Sequence, residues 1–228
     1  MKRKIITTAD GSKTIQIEEW NEQYHSVHGA IQEAKHVFIK HGLLFFKEMH
    51  PKTQPIHILE IGFGTGLNAY LTLLKSGETQ TKIQYVGVEA FPVISEEINQ
   101  LNYVEELKTD AKLFSKLHDT SWETEQDITG DFKLTKQKKE FKNIKDTNTY
   151  NIIYFDAFGA RVQPELWTET IFKKMYDAVQ VNGVLVTYAA KGSVRRAMQA
   201  VGFKVEKLPG PPGKREMLRA TKPSTTQN

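Results

Sequence analysis

The 228-residue sequence predicts an α/β fold, a doubly wound and mostly parallel sheet that closes on an antiparallel C-terminal hairpin. Three observations carry this. Short apolar runs of strand length alternate with longer helical stretches between residues 56 and 201. A glycine loop, Gly62-Phe63-Gly64-Thr65-Gly66, separates the first buried run from the helical stretch after it. The last two apolar runs are joined by Pro209, Gly210, Pro211, Pro212 and Gly213, too short a link for the crossover of a parallel pair.

Taken in order, Asp10-Gly11 is a tight hairpin-turn signal and Thr14-Ile15-Gln16-Ile17 the strand after it. A helix is expected from Ala30 to about Phe46, with Val37, Leu44 and Phe45 on one face. Residues 1–50 are thus a hairpin-and-helix extension packed on a core domain of residues 51–220. The core opens on the strand Ile56–Ile61 and a helix carrying Leu67, Tyr70, Leu71, Leu73 and Leu74. Ile83–Val88 is a second strand, followed by a helix through Ile94, Ile98 and Leu101. From Asp110 to Thr149 no period emerges, and Lys133, Lys136, Lys138, Lys139, Lys142 and Lys145 suit either a solvated surface or an RNA groove. Asn151–Phe155 is a strand, Pro164–Ala178 a helix, Asn182-Gly183 a turn and Val184–Tyr188 a strand. A helix from Ser193 to Val201 ends at Gly202, as a left-handed C-terminal glycine should. Phe203–Leu208 and Arg215–Arg219 form the closing hairpin, and residues 221–228 are expected to be a disordered tail.

Composition narrows the class. Hydrophobic residues make up 39% and charged residues 25%, as in ordinary globular proteins. No apolar run approaches the roughly 20 residues of a membrane span. The basic Met1–Lys4 is followed by Thr7, Thr8, Asp10 and Gly11 instead of an apolar segment, so no secretory signal is expected and the location is expected to be cytoplasmic. The absence of cysteine excludes disulfides, thiolate zinc sites and cysteine nucleophiles. The 7 histidines are scattered without a carboxylate cluster, so no metal site is expected. A net charge of +4 leans mildly toward an anionic partner.

The candidate chemistry sits at strand ends. The loop spacing is G-x-G-x-G, whereas a nicotinamide dinucleotide loop needs glycine where this chain has Leu67. It therefore suits a nucleoside without a pyrophosphate, or is an ordinary tight turn. Glu89 ends the second strand, where a carboxylate can accept hydrogen bonds from both ribose hydroxyls. Asp156 ends the strand Ile152–Phe155. A carboxylate there can stabilise a sulfonium or take a proton from an amine; alternatively it caps the next helix. Arg195, Arg196, Lys214 and Arg215 flank the last strands and are candidates to clamp phosphates.

Four blocks resemble the methyltransferase domain of the MnmC/MnmD family, which modifies the wobble uridine of certain tRNAs. They are Tyr24-His25-Ser26 with Gly29, Glu33, Val37 and Phe38; Glu60 and Gly62–Asn68 with Val88–Pro92; Phe155–Phe158 with Pro164–Thr168; and Leu185–Tyr188 with Val194–Arg196, Gly202-Phe203 and Gly213–Leu218. The resemblance implies a class I, Rossmann-like fold with S-adenosyl-L-methionine (SAM) as cofactor. It implies Tyr24, Ser26, Glu60, Gly62, Phe63, Gly64, Thr65, Gly66, Asn68, Glu89, Ala90 and Asp156 around that cofactor. Asp156 and Phe158 match the family's catalytic pair, and Trp167, Lys191, Arg195, Arg196, Lys214 and Arg215 fall to the side of the tRNA anticodon stem-loop. The implied reaction methylates the 5-aminomethyl group of wobble 2-thiouridine, giving 5-methylaminomethyl-2-thiouridine. The family's Gly-Asp on the adenine side has no counterpart at Leu134-Thr135-Lys136-Gln137. The flavin-dependent oxidase often fused to this domain is absent from the sequence, so no oxidoreductase activity is expected and a separate enzyme is expected to supply the aminomethyl substrate. Two other readings stand beside this one. One is a class I methyltransferase acting on a small molecule or a protein. The other is a non-catalytic SAM- or RNA-binding module, for which an acid at Asp156 would be unnecessary.

Overall fold

The computed structural model describes residues 2–224. The chain opens on a three-stranded antiparallel sheet of β1 (Arg3–Thr7), β2 (Lys13–Ile17) and β3 (Glu22–Gln23). Its first turn is a five-residue loop, since Thr7 pairs with Lys13. The expected tight turn at Asp10-Gly11 does not form because Asp10 Oδ1 instead accepts from Thr8 Oγ1 at 2.8 Å and Ser12 N at 3.1 Å, which folds the loop around itself. A continuous helical run follows: α1 (Ala30–Ala34), wide π-helical turns over Lys35–Leu44, and α2 (Phe45–Met49).

The core alternates strand and helix: β4 (Ile56–Ile61), α3 (Leu67–Thr79), β5 (Ile83–Glu89), then short helices α4 (Ser95–Ile98), α5 (Tyr103–Leu107) and α6 (Ala111–Asp119). Next come β6 (Gln126–Thr129), β7 (Phe132–Lys138), β8 (Tyr150–Phe155), α7 (Glu169–Ala178), β9 (Val179–Thr187), α8 (Gly192–Ala200), β10 (Lys204–Pro209) and β11 (Glu216–Thr221). The sheet order is β10-β11-β9-β8-β4-β5-β7-β6. Its middle is parallel, and β10–β11, β11–β9 and β6–β7 are antiparallel. The fold is the α/β architecture expected, with its antiparallel closing hairpin.

Both faces of the sheet are covered, which is why its central strands read as unbroken apolar runs. In β8, Ile152 and Tyr154 enter the core shared with Val37, Phe38 and Tyr70, while Ile153 and Phe155 enter the core shared with Phe172 and Met175. The lysine-rich segment is not a plain surface. Lys136 in β7 is 2% exposed, its Nζ donating to His118 O at 2.6 Å, with the Trp122 ring centroid 5.3 Å away. The expected helix at 164–178 is broken: Pro164–Trp167 is a 3-10 turn, and α7 starts at Glu169. Thr221, placed in the tail by the sequence, pairs with Lys204 and Val184, and Lys222 Nζ donates to Val179 O at 2.8 Å. Residues 225–228 of that expected tail lie outside the described residues.

Candidate active site

β4, β5 and β8 end at one edge of the sheet, and the glycine loop crosses that edge. The amides of Gly62 and Phe63 both donate to Val88 O, at 3.0 and 3.1 Å, which clamps the loop onto β5. Gly62 and Gly64 have φ of +91° and +49°, left-handed values that glycine adopts without a Cβ penalty. A Cβ on Gly62 would stand 2.6 Å from the carbonyl oxygen of Asp156. The absence of that atom is what lets the ends of β4 and β8 meet.

Glu60, Glu89 and Asp156 converge here. Asn68, in the first turn of α3, links two of them: its Nδ2 donates to Glu60 Oε1 at 3.0 Å and to Asp156 Oδ2 at 2.8 Å. Among the described residues, Asn68 Oδ1 and Glu60 Oε2 are buried with no hydrogen-bond partner. Glu89 is fixed at the rim, accepting from Gly64 N at 3.1 Å and Phe91 N at 2.9 Å. Burial pushes the Asp156 carboxyl up to about 7; the Glu33 charge adds to this, while the Asn68 hydrogen bond and Lys214 oppose it. Burial likewise holds the Glu60 carboxyl well above the usual range. Asp156 caps no helix, because the chain after it stays irregular until Pro164.

A cavity of about 670 Å³ opens over this edge, a size suited to a nucleoside-sized ligand. Tyr24, Ser26, Gly62, Phe63, Gly64, Asn68, Glu89, Ala90, Asp156, Phe158 and Lys214 line it, all expected at a site. Three others expected at the cofactor do not line it. Glu60 is fully buried beneath and reaches the cavity only through Asn68. Thr65 turns into the core, its Oγ1 accepting from Tyr103 Oη at 3.1 Å. Gly66 precedes α3 and packs on His118. Phe158 stands edge-on to Trp20 and Tyr24, with ring centroids 5.6 and 4.9 Å away. Its segment is held by two side chains, since Tyr188 Oη donates to Ala157 O and Trp167 Nε1 to Phe158 O, both at 2.8 Å.

The residues expected on the substrate side divide. Lys191, Trp167, Lys214 and Arg215 border a second, shallower groove that shares Tyr188 and Lys214 with the cavity. Trp167 is 6% exposed and packs on Phe155 and Phe172, so it holds Phe158 instead of presenting a face to a substrate. Lys214 is not a free phosphate clamp: it is paired with Glu33 and lies over the Tyr188 ring. Arg195 and Arg196 line neither space. Among the described residues Lys191, Arg195, Arg196 and Arg215 make no ion pair.

The sequence reading missed Trp20, Glu33, Glu140, Phe141 and Tyr188 on the cavity wall. Tyr188 follows the C-terminal end of β9, so the strand-end argument used for Glu89 and Asp156 would have found it. The acid sought at 134–137 was sought inside β7; the loop after that strand carries Glu140 and Phe141, both at the cavity. Among the described residues no group of His, Asp or Glu could hold a metal ion, and no helix is long and apolar enough to cross a membrane.

Residues 100–223 match the model of a family described as S-adenosyl-L-methionine-dependent methyltransferase. The match begins beyond the glycine loop, but full-length relatives extend over it. The chain is 26% identical over 232 residues to the tRNA 5-methylaminomethyl-2-thiouridine biosynthesis bifunctional protein MnmC of Actinobacillus pleuropneumoniae, covering 92% of this chain and 34% of that protein. It is 30% identical over 218 residues to the protein of the same name from Leptospira interrogans, covering 88% and 32%. The chain thus spans about a third of the length of these curated relatives. The crystal structure of MNMC2 from Aquifex aeolicus superposes with a TM-score of 0.80 at 24% identity, over 98% of this chain and 71% of that one. Spermidine synthase from Thermotoga maritima has a TM-score of 0.54 at 15% identity, over 96% and 72%, a likeness of fold.

Proposed function

Because the chain belongs to the family of S-adenosyl-L-methionine-dependent methyltransferases whose model it matches, we propose that its acceptor is the 5-aminomethyl group of wobble 2-thiouridine in tRNA, which it converts to 5-methylaminomethyl-2-thiouridine. The reading draws on the curated relatives, whose names describe biosynthesis of that nucleoside. It rests most on one observation: the Asp156 carboxyl lines the same cavity as the glycine loop and the aromatic group of Phe158, Trp20 and Tyr24.

The residues present fit SAM. Gly62 and Gly64 let the loop fold tightly along the cavity, where a Cβ would strike the Asp156 carbonyl or the Tyr24 ring. The unpartnered Asn68 Oδ1 is an acceptor suited to the ammonium of a methionine moiety. In this reading Glu89 takes the ribose hydroxyls, Ala90 and Phe141 flank the adenine, and Glu140 is the acid on the adenine side. Tyr24 and Ser26 close the methionine end. Glu60 acts from below through Asn68, and Thr65 and Gly66 only shape the loop.

SAM supplies an electrophilic methyl group on its sulfonium. The acceptor is largely an ammonium at neutral pH, so it must lose a proton before its lone pair can attack. Asp156 accepts a hydrogen bond from that nitrogen, orients it and takes the proton. A carboxyl near 7 is matched to that task at neutral pH. Phe158, with its backbone fixed by Trp167, would pack on the uracil and hold the acceptor in place, and such positioning supplies much of the rate. The tRNA anticodon stem-loop lies along the second groove, where Lys191 and Arg215 are placed to meet phosphates, with Arg195 and Arg196 on the neighbouring helix α8 outside the groove. Another enzyme supplies the aminomethyl-uridine, and the work is done in the cytoplasm. Incubation of the protein with SAM and aminomethyl-thiouridine tRNA, followed by nucleoside mass analysis, should give a product heavier by one methyl group. Asp156→Ala should keep SAM binding and lose turnover by roughly 10²-fold or more. Turnover by that variant close to the unmodified rate would sink the assignment.

A further inference from the structure

A sheltered ion pair stands beside Asp156 and has no part in the chemistry above. Glu33, on α1, is 7% exposed. Its Oε2 accepts from Ser26 N at 2.9 Å, and its Oε1 meets Lys214 Nζ. Lys214 belongs to the turn between β10 and β11, and its ammonium lies 4.0 Å from the centroid of the Tyr188 ring. Tyr188 in turn donates to the carbonyl of Ala157, the residue after Asp156. Gly213, next to Lys214, approaches the His28 ring so closely that a Cβ would be 2.2 Å from it. Glu33, Lys214, Tyr188 and Asp156 all line the same cavity. Desolvating such a pair costs about as much as its attraction returns, so stability alone is a weak account of it.

We propose that Glu33 and Lys214 are positioning residues for the methyl transfer, joining the N-terminal segment to the β10–β11 turn and setting, by their opposed charges, the field in which Asp156 meets the acceptor nitrogen. The proposal rests on the reading that this acceptor is an amine. The groups facing Asp156 are few. From α3 comes Asn68, and from β4 comes Glu60, for which burial favours the protonated form, with Tyr85 of β5 also within its field. Tyr188 stands after β9. His25, after β3, lines the same cavity and is kept neutral by burial, which pushes its pKa down to about 4. Glu89, the other carboxylate at this edge, is held at the rim by the amides of Gly64 and Phe91, and the charges that act on Asp156 are those of Glu33 and Lys214. Glu33 favours a proton on Asp156, and Lys214 draws it off. A base of this kind must release its proton after each turnover and recover its charge before the next. An anion and a cation paired on the wall of the same cavity act on that balance in opposite directions.

The two halves of the pair make opposite demands, and this separates the proposal from a merely structural link. The measurement is a carbon-13 NMR titration of the Asp156 carboxyl in the SAM-bound protein, its signal identified by its loss in Asp156→Asn. Glu33→Gln is expected to move the midpoint to lower pH and Lys214→Met to higher pH. The double variant should return toward the unmodified value, and Lys214→Arg should stay there. Breaking a link that only braces the fold would disturb both single variants in the same way. Midpoints that move in one direction, or not at all, overturn the proposal. Should Lys214→Met not fold, Glu33→Gln and the double variant still fix the two signs. Single-turnover methylation of aminomethyl-thiouridine tRNA across pH is expected to show the same opposed displacement of its acidic limb. A protein inactive on that tRNA would refute the assigned substrate, and the titration would still decide the role of the pair.

Discussion

Asp156→Asn is expected to abolish methyl transfer and yet stabilise the protein, increasingly so as pH rises. The Asp156 carboxyl is held up to about 7, whereas an aspartate in an unfolded chain titrates near ~3.9. Below ~pH 4 the acid is protonated in both states and favours neither. As pH climbs toward 7 the unfolded chain ionises while the folded one keeps its proton, so the folded state loses stability until both are ionised. At about 1.4 kcal/mol per pH unit, the loss is at most about 4 kcal/mol. Asp156 is partly open to the cavity, and water there relieves part of the cost, leaving about 2 kcal/mol. Asparagine imitates the protonated acid at every pH and is spared this loss. About two thirds of the loss develops between pH 5 and 8. With roughly 2–4 °C per kcal/mol for a chain of this size, the gain in Tm should be larger at pH 8 than at pH 5 by about 3–5 °C. Thermal unfolding of both proteins without SAM, at the two pH values, measures it. An equal or smaller gain at pH 8 would refute the view that Asp156 is held protonated by its surroundings.

Glu89→Ala should weaken SAM binding about tenfold or more in calorimetry, as expected on losing a charged acceptor, and an unchanged affinity would remove Glu89 from the ribose. Gly64→Val should lose SAM binding as well, because its Cβ would meet the Tyr24 ring at 2.9 Å on a backbone of φ +49°. A folded Gly64→Val protein with full affinity would count against the cradle. Neutralising Lys191 and Arg215 together should weaken tRNA binding and reduce its salt dependence without touching SAM affinity; an unaltered salt slope would mark them as solvated surface.

Much of the fold was legible because the parallel strands are buried on both faces, and Ile152–Phe155 or Ile56–Ile61 can hardly be read otherwise. β7 escaped because Lys136 occupies an inward position after Phe132 and Leu134, which breaks the apolar alternation with a lysine whose ammonium is satisfied inside by the His118 carbonyl. The missing adenine-side acid followed from that omission, since an unseen strand has no visible end. Within the site, Gly62, Glu89 and Asp156 were legible from strand-end position alone. Lys214 was misread because nothing local announces that Glu33, far away in sequence, will occupy it. Trp167 was misread for a similar reason, its indole being turned inward by the carbonyl of Phe158.

The cavity's walls are drawn from both ends of the chain: Tyr24 and Ser26 near the start, Lys214 near the finish, with Gly213 pressed on His28. On a ribosome the opening hairpin and helix emerge first and must wait for nearly all the rest. At roughly 5–20 residues per second that interval is on the order of ten seconds or more. Through it α1 carries the Glu33 carboxylate with no cation to meet, and Tyr24 has no glycine loop until residue 64 has been made. A nascent chain truncated just before β10 should therefore already hold most of the parallel sheet yet bind SAM poorly. The ligand can join the folding only at its close, as a late brace on a molecule whose first and last segments have just found each other.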